Sequence, residues 1–289
     1  MSKPAGASAA STLALLAPAT VLFATFVLHP IADNVWLSLH DWDGAGAKSW
    51  VGLGNYRELA GDRTFAIALA NNLRWLLLYA LAPPLGLTLA LLLCRTARGM
   101  RLVRSLFFMP FVISQVVVGL MFAWFFNGRF GLFDHLLRAA GLAPAALLEG
   151  DQAIYGLVLA GLWPQVAYCM ILYLTGIATL RADLVEAARL DGAGGWALLR
   201  HVVLPQLRPV HFIAVMVCTV SALRSFDLVM VMTGGGPHRS SSVLASYLYE
   251  QVFTSGRYGY GAALATVLLA LMSGIIVTLL WRLLRAERR

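Results

Sequence analysis

Apolar residues along this chain gather into six long runs, over residues 13–35, 76–94, 106–126, 153–180, 212–232 and 262–281. A helix rises about 1.5 Å per residue, so about 20 apolar residues cross the roughly 30 Å hydrocarbon core of a bilayer. Each run therefore predicts one transmembrane helix. The third, fourth and fifth runs carry polar residues, as spans do when they face other protein rather than lipid. Pro83, Pro84, Pro110 and Pro164 are expected to bend the spans that hold them. The first run has Lys3 ahead of it and small residues at Ala17 and Ala19, as a secretory leader would. Its apolar stretch continues well past that point, so it reads as an uncleaved span.

Composition agrees with the pattern. Of 289 residues 60% are hydrophobic and 12% charged, and the mean hydropathy is +0.75, which excludes an ordinary soluble domain, a disordered chain and a coiled coil. The net charge of +8 matters less than where the cations fall, because basic residues are retained on the cytoplasmic side. Arg95, Arg98, Arg101 and Arg104 crowd the second connection, Arg181, Arg189, Arg200 and Arg208 the fourth, and Arg282, Arg285, Arg288 and Arg289 the tail. Cations are sparse in the first, third and fifth connections. Both ends of the chain are thus expected in the cytoplasm, with the chain a multi-pass protein of the bacterial inner membrane. These clusters sit at span ends without interleaved aromatics, so topology accounts for them and no nucleic acid is implied. Cys94, Cys169 and Cys218 lie in apolar runs without a CxxC pair, and the six histidines show no ligand spacing, so neither a disulfide framework nor a metal centre is expected.

The fourth connection, 181–209, is amphipathic. Asp183 is placed to cap a short helix whose apolar residues Leu184, Ala187, Ala188 and Leu190 share faces, Gly192, Gly194 and Gly195 break it, and a second helix starts over 196–203. Within it Glu186-Ala187-Ala188, three residues, Gly192, nine residues, Val202, one residue and Leu204-Pro205 reproduce a spaced pattern. That pattern resembles the EAA loop of the permease subunits of binding-protein-dependent ABC importers, with valine at Val202 where the family usually has isoleucine. Gly52-Leu53-Gly54-Asn55-Tyr56, the run 190–193, Phe226-Asp227, Thr233 to Pro237 and Tyr258-Gly259-Tyr260-Gly261 look like the carbohydrate-uptake branch, of the maltose and glycerol-3-phosphate type.

The resemblance implies an all-α polytopic fold of six transmembrane helices, with residues 1–289 forming a single permease domain. It also implies that Glu186, Ala187, Ala188, Asp191, Gly192, Leu204 and Pro205 form a coupling element on a cytoplasmic ATPase. The implied partners are a second homologous permease, two ATPase copies and an extracytoplasmic solute-binding protein, besides membrane lipid. ATP and magnesium would sit on the ATPase and no cofactor on this chain. The nearest approach to a phosphate loop, Gly44 to Ser49, lacks the required glycines at Trp42 and Ala47 and lies on the wrong side.

Polar groups within spans are costly, about 2.5 to 3.5 kcal/mol for a central charge, and so mark cavities or buried pairs. Cys218, Ser221, Ala222 and Ser225 are spaced to form one helical face of small or hydroxyl-bearing residues, and Gly161, Gln165 and Tyr168 form another on the fourth run. Side-chain hydrogen bonds and aromatic stacking suit a sugar, and resemblance to the maltose permease points to these two spans as the solute pathway. Helix packing alone would also use small residues. Arg224 and Asp227 are spaced to neutralise each other, whereas a free Arg224 would suit a phosphate or carboxylate, keeping glycerol-3-phosphate or a polyol as an alternative solute. Asn71, Asn72 and Arg74 read as interfacial anchors. An ion-coupled secondary transporter or a channel would need intramembrane acids or unwound helices, and only Asp227 is a deep acid. Secondary transporters also often show repeated halves, and spans one to three do not match four to six. A membrane enzyme would need a nucleophile, paired carboxylates or a metal. The charge pattern makes a direct prediction: a cysteine placed at Ser240 should react with an impermeant reagent from outside, and one at His201 from inside. The reverse labelling would overturn the orientation.

Overall fold

The computed structural model describes residues 9–94 and 98–287; Lys3, Arg95, Arg288 and Arg289 lie outside the described residues. The chain is helical almost throughout. Helix α1 (Ala9–Phe23), one π turn and α2 (His29–Leu37) follow without interruption. Strands β1 (His40–Asp41) and β2 (Ser49–Trp50) pair antiparallel, with His40 opposite Trp50, and lead to α3 (Gly54–Gly61). Asp62 caps α4 (Arg63–Tyr79) by accepting from the Thr64 amide at 2.7 Å. In α5 (Ala82–Leu93) Pro83 and Pro84 occupy the first turn, where a missing N–H costs nothing. Then come α6 (Met100–Val112), α7 (Gln115–Phe125), α8 (Leu132–Ala139) and the long α9 (Ala153–Ala178). The fourth connection holds α10 (Ala182–Leu190), α11 (Gly195–Leu198), a π turn and α12 (Leu204–Gln206). The chain ends with α13 (Arg208–Leu223), α14 (Asp227–Met232), α15 (Leu244–Tyr249) and α16 (Tyr258–Glu287).

The apolar runs predict the helices but not their breaks. Segments Leu15–Leu37, Arg63–Leu93, Gly150–Ala178 and Tyr258–Arg282 are long and apolar enough to cross a membrane. The third run is not one straight span: α6 and α7 meet at 94°, and the turn falls at Ile113-Ser114, three residues beyond the proline expected to cause it. The fifth run is likewise divided. Helix α13 stops at Leu223, residues 224–226 are extended or irregular, and α14 resumes at Asp227. By contrast Pro164 sits inside an unbroken 26-residue helix.

The described residues form two compact units, one drawn from Met1–Gly61 and Leu248–Leu269, the other from Asp62–Tyr247 and Ala270–Arg289. In the first, the Asn34 amide donates to the Ala262 carbonyl at 3.2 Å and the Thr266 hydroxyl at 3.0 Å. Asn55 donates to the carbonyls of Ser38 and His40, so the β1 turn is held from below. In the second, α9 is the central element and packs against α4, α5, α6 and α13. Ala82, Gly86 and Ala90 recur every fourth residue on α5 and are buried; a Cβ on Gly86 would lie 2.5 Å from Cys169 Cβ and 2.8 Å from the Met170 nitrogen. Small residues let the two backbones touch.

A helix that ends inside an apolar core must find donors for its last carbonyls. At the end of α13 they come from Ser225, whose hydroxyl donates to Ala222 O at 2.9 Å, and from Asn72, whose amide reaches the carbonyls of Ala222 at 3.3 Å and Leu223 at 3.5 Å. Asn72 Oδ1 accepts from the Leu244 amide at 2.8 Å. Asn71 donates to the carbonyls of Ser240 and Ser242 at 2.7 and 2.8 Å. Both asparagines are buried. They are internal clamps, not the interfacial anchors the sequence suggests. Replacing Asn72 with Leu strands these backbone groups and should cost about 1 to 3 kcal/mol, read as a lowered thermal midpoint of the detergent-purified chain. An unchanged midpoint would remove Asn72 from this role.

Candidate functional site

The break between α13 and α14 opens a cavity of about 260 Å³ lined by Trp75 and Tyr79 of α4, Gln115 at the start of α7, Gln165 of α9, and Ser221, Arg224, Ser225, Phe226 and Asp227 around the break itself. Two amides, two hydroxyls, a phenol and both signs of charge converge there with aromatic faces. Trp75 is fully buried and its indole N–H has no hydrogen-bond partner; Trp75 and Tyr79 meet edge to face at 5.9 Å. Gln165 donates to Cys218 Sγ at 3.3 Å, which fixes its amide.

The structure therefore brings Gln165, Ser221, Ser225, Arg224 and Asp227 together in the lining, and leaves Gly161, Tyr168, Cys218 and Ala222 out of it. Gly161 is buried and marks a close approach: a Cβ there would meet the Tyr79 hydroxyl at 2.2 Å and Leu228 Cδ1 at 2.9 Å. Tyr168 is turned to Phe111, on which it stacks at 4.6 Å. Cys218 lies in the core beside Cys169, sulfur to sulfur 3.5 Å, and Ala222 is fully buried. Ser225 lies beyond the end of α13, so the proposed four-residue helical face does not exist as one face. Arg224 and Asp227 do not form an ion pair; residues 224–226 are not helical, and the i, i+3 geometry that would join them is lost. Trp75, Tyr79 and Gln115 were not anticipated. Gln115 alone left a trace in the sequence, as half of the polar pair Ser114-Gln115 inside an apolar run.

The fourth connection forms a second site. Helix α10 begins at Ala182 with Arg181, not Asp183, at the capping position. The Arg181 amide donates to Gln206 Oε1 at 3.0 Å, tying the start of α10 to the end of α12. Asp183 instead pairs with the Arg181 guanidinium at 2.6 Å, which holds its carboxyl below the usual carboxylate range. At the other end the Ala193 amide bonds Ala188 O at 2.9 Å and the Gly192 amide bonds Arg189 O at 3.1 Å. This paired closure needs a left-handed residue next to the cap residue Asp191, and Gly192 has φ +82°. Val185 and Ala188 are half-buried, whereas Leu184, Ala187, Leu190 and Trp196 face outward with Glu186; Leu190 is 89% and Trp196 71% exposed. Leu204 and Pro205 are exposed as well. The base of the loop is anchored by Leu207, 1% exposed, which fills the space left by Gly176 near the end of α9.

Residues 82–289 match the family described as the binding-protein-dependent transport system inner membrane component. The chain belongs to this family. Relatives of this permease include the sn-glycerol-3-phosphate transport system permease protein UgpA of Brucella abortus, 31% identical with 89% of each chain covered. Another is the trehalose/maltose transport system permease protein MalF of Thermococcus litoralis, 28% identical with 92% of this chain and 91% of that one covered. A solved bacterial ABC transporter involved in import of the acidic polysaccharide alginate contains a chain of the same fold, with TM-score 0.81, 21% identity and 95% coverage of both chains. The permease is thus a multi-pass inner-membrane subunit of an ABC importer. In it Gly161 is a packing residue. Gly161→Ala should lower the melting midpoint by displacing Tyr79, at a cost of about 1 to 3 kcal/mol, and Tyr79→Phe in the same chain should restore part of it. Equal midpoints for wild type and Gly161→Ala would refute the close approach.

Proposed function

We propose that this permease imports a sugar or oligosaccharide, delivered by an extracytoplasmic binding protein, through the cavity at the α13–α14 break. The observation that carries the reading is the lining of that cavity. Gln115, Gln165, Ser221 and Ser225 offer both donors and acceptors, and Trp75, Tyr79 and Phe226 offer flat apolar faces. Hydroxyl-rich rings are recognised by this combination. The permease relative that names trehalose and maltose supports the same class. One chain supplies half of a pathway, so a second homologous permease completes it. Two copies of a separate ATPase, carrying ATP and magnesium, drive it, and both ends of this chain face them.

The coupling element in this reading is α10 with its Gly192 corner. Glu186, Ala187, Ala188 and Asp191 present a narrow, close-fitting face, and Leu190 and Trp196 are apolar contacts for a groove. Because the loop joins α9 to α13, which both reach the cavity, a displacement of α10 moves two of its walls together. Leu204 and Pro205 continue the loop toward its buried root at Leu207. A rigid lever of this kind transmits a two-state change.

A second reading is favoured by Arg224. Its guanidinium lines the cavity without an ion-pair partner among the described residues, and it would bind a phosphate or carboxylate. The relative named for sn-glycerol-3-phosphate and the alginate importer both handle acidic solutes. Uptake by the reconstituted transporter separates the two. With maltose as probe, Ser221→Leu should abolish uptake while ATPase binding persists, Arg224→Gln should leave uptake within about threefold, and Gly192→Asp should uncouple hydrolysis from uptake. Loss of glycerol-3-phosphate uptake in Arg224→Gln, with no maltose uptake in wild type, would establish the acidic solute. Normal uptake of both probes by Ser221→Leu would overturn the site.

A further inference from the structure

Outside the translocation cavity, the third connection gathers negative charge around one open point. Helix α7 ends at Phe125, and its C-terminal carbonyls carry the negative end of the helix dipole. The chain then passes through Asn127 and Gly128 into α8, whose first turn holds Asp134. Asp134 is only 3% exposed. Its Oδ1 is accounted for, accepting from the Ala145 amide at 3.0 Å and lying in the first turn of α8, where an anion is favoured. Its Oδ2 is buried with no hydrogen-bond partner among the described residues. A buried carboxylate oxygen left bare costs several kcal/mol unless something positive meets it.

Glu149, from the far end of the same connection, faces the same place. The point where a Cβ on Gly128 would sit is 2.7 Å from Glu149 Oε1 and 3.8 Å from Asp134 Oδ2. Gly128 has no side chain to fill that point, and the Glu149 carboxylate has no hydrogen-bond or ion-pair partner among the described residues, the Glu149 amide alone donating to Ala146 O at 2.8 Å. An adjoining cavity of about 330 Å³, lined by Ala123, Asn127, Gly128, Glu149 and also Arg129, gives access. The nearest polar atoms are carboxylate oxygens only, Glu149 Oε1 and Asp134 Oδ2. Hard cations with irregular coordination prefer such sets, calcium above magnesium. No ligand spacing marks the place in the sequence because Asp134 and Glu149 come from opposite ends of the connection.

We propose that Asp134 and Glu149, with Gly128 between them, bind a divalent cation, calcium by preference, that fastens α8 and the 145–150 segment to the end of α7. Two carboxylates with one guanidinium nearby suit an affinity of about 0.1 to 1 mM. The test uses the full chain purified in detergent and stripped with chelator. Terbium should give luminescence on tryptophan excitation, displaced by millimolar calcium and only weakly by magnesium, and calcium should raise the melting midpoint. Asp134→Asn keeps the Oδ1 bond to Ala145 and should fold, yet both it and Glu149→Gln should weaken the calcium effect roughly tenfold or more. Arg129→Gln should strengthen it. Absence of any calcium-displaceable signal in the wild type would overturn the site. So would stabilisation by acid alone, which would assign a shared proton, or an undiminished calcium effect in both carboxylate variants.

Discussion

A helix that stops where water cannot reach must have its last carbonyls met by protein. That requirement governs the second unit of this permease. The gap between α13 and α14 opens the polar cavity and leaves the carbonyls of Ala222 and Leu223 to be met by side chains. Asn72 from α4 and Ser225 from the gap itself answer them. Because Asn72 also receives the Leu244 amide, one side chain ties the break to the segment that follows α14. Ser225 both lines the polar cavity and caps the helix end beside it, while Asn72 supports that end from outside the lining.

The same unit has a rigid side and an articulated side. Helix α9 is continuous for 26 residues and packs on α5 along Ala82, Gly86 and Ala90, with the backbones at Gly86 too close to admit a side chain. An interface packed that tightly has two states, in contact or apart, with little between. On the other side α13 is joined to its neighbours through a bend at Leu207 and the gap at 224–226. Both α9 and α13 join the 181–207 connection, and of the two only α13 is interrupted beside the cavity, next to Ser221 and Arg224.

Much of this was legible in the sequence, and for physical reasons. Long apolar runs have few ways to be buried, so the helices over 153–180 and 262–281 and the corner at Gly192 appear close to where the pattern puts them. The glycine corner is legible because a left-handed residue has few chemical options. Breaks inside apolar runs are not legible in the same way. Ser221, Arg224, Ser225 and Asp227 mark polarity within 212–232 but not that the helix ends there, since its capping partner Asn72 lies 150 residues earlier. The expected face of Cys218, Ser221, Ala222 and Ser225 assumed a helix through that gap, and so gathered two core residues with two that line the cavity. Gly161 misled for a related reason: a missing side chain can make room for a solute or for a neighbouring ring, and only the position of Tyr79 decides between them.

The exposed face of α10 and α11 has a consequence for the life of the chain. Leu190 and Trp196 are large apolar side chains that stand largely exposed. Apolar side chains so presented outside the bilayer are sticky until covered. A copy made in excess of its partners would carry that adhesive surface bare, open to aggregation and to the proteases that patrol for it. If α10 docks on a separate ATPase, as proposed, balanced synthesis of the subunits follows as a requirement, and the same contact would double as the mark of a completed assembly.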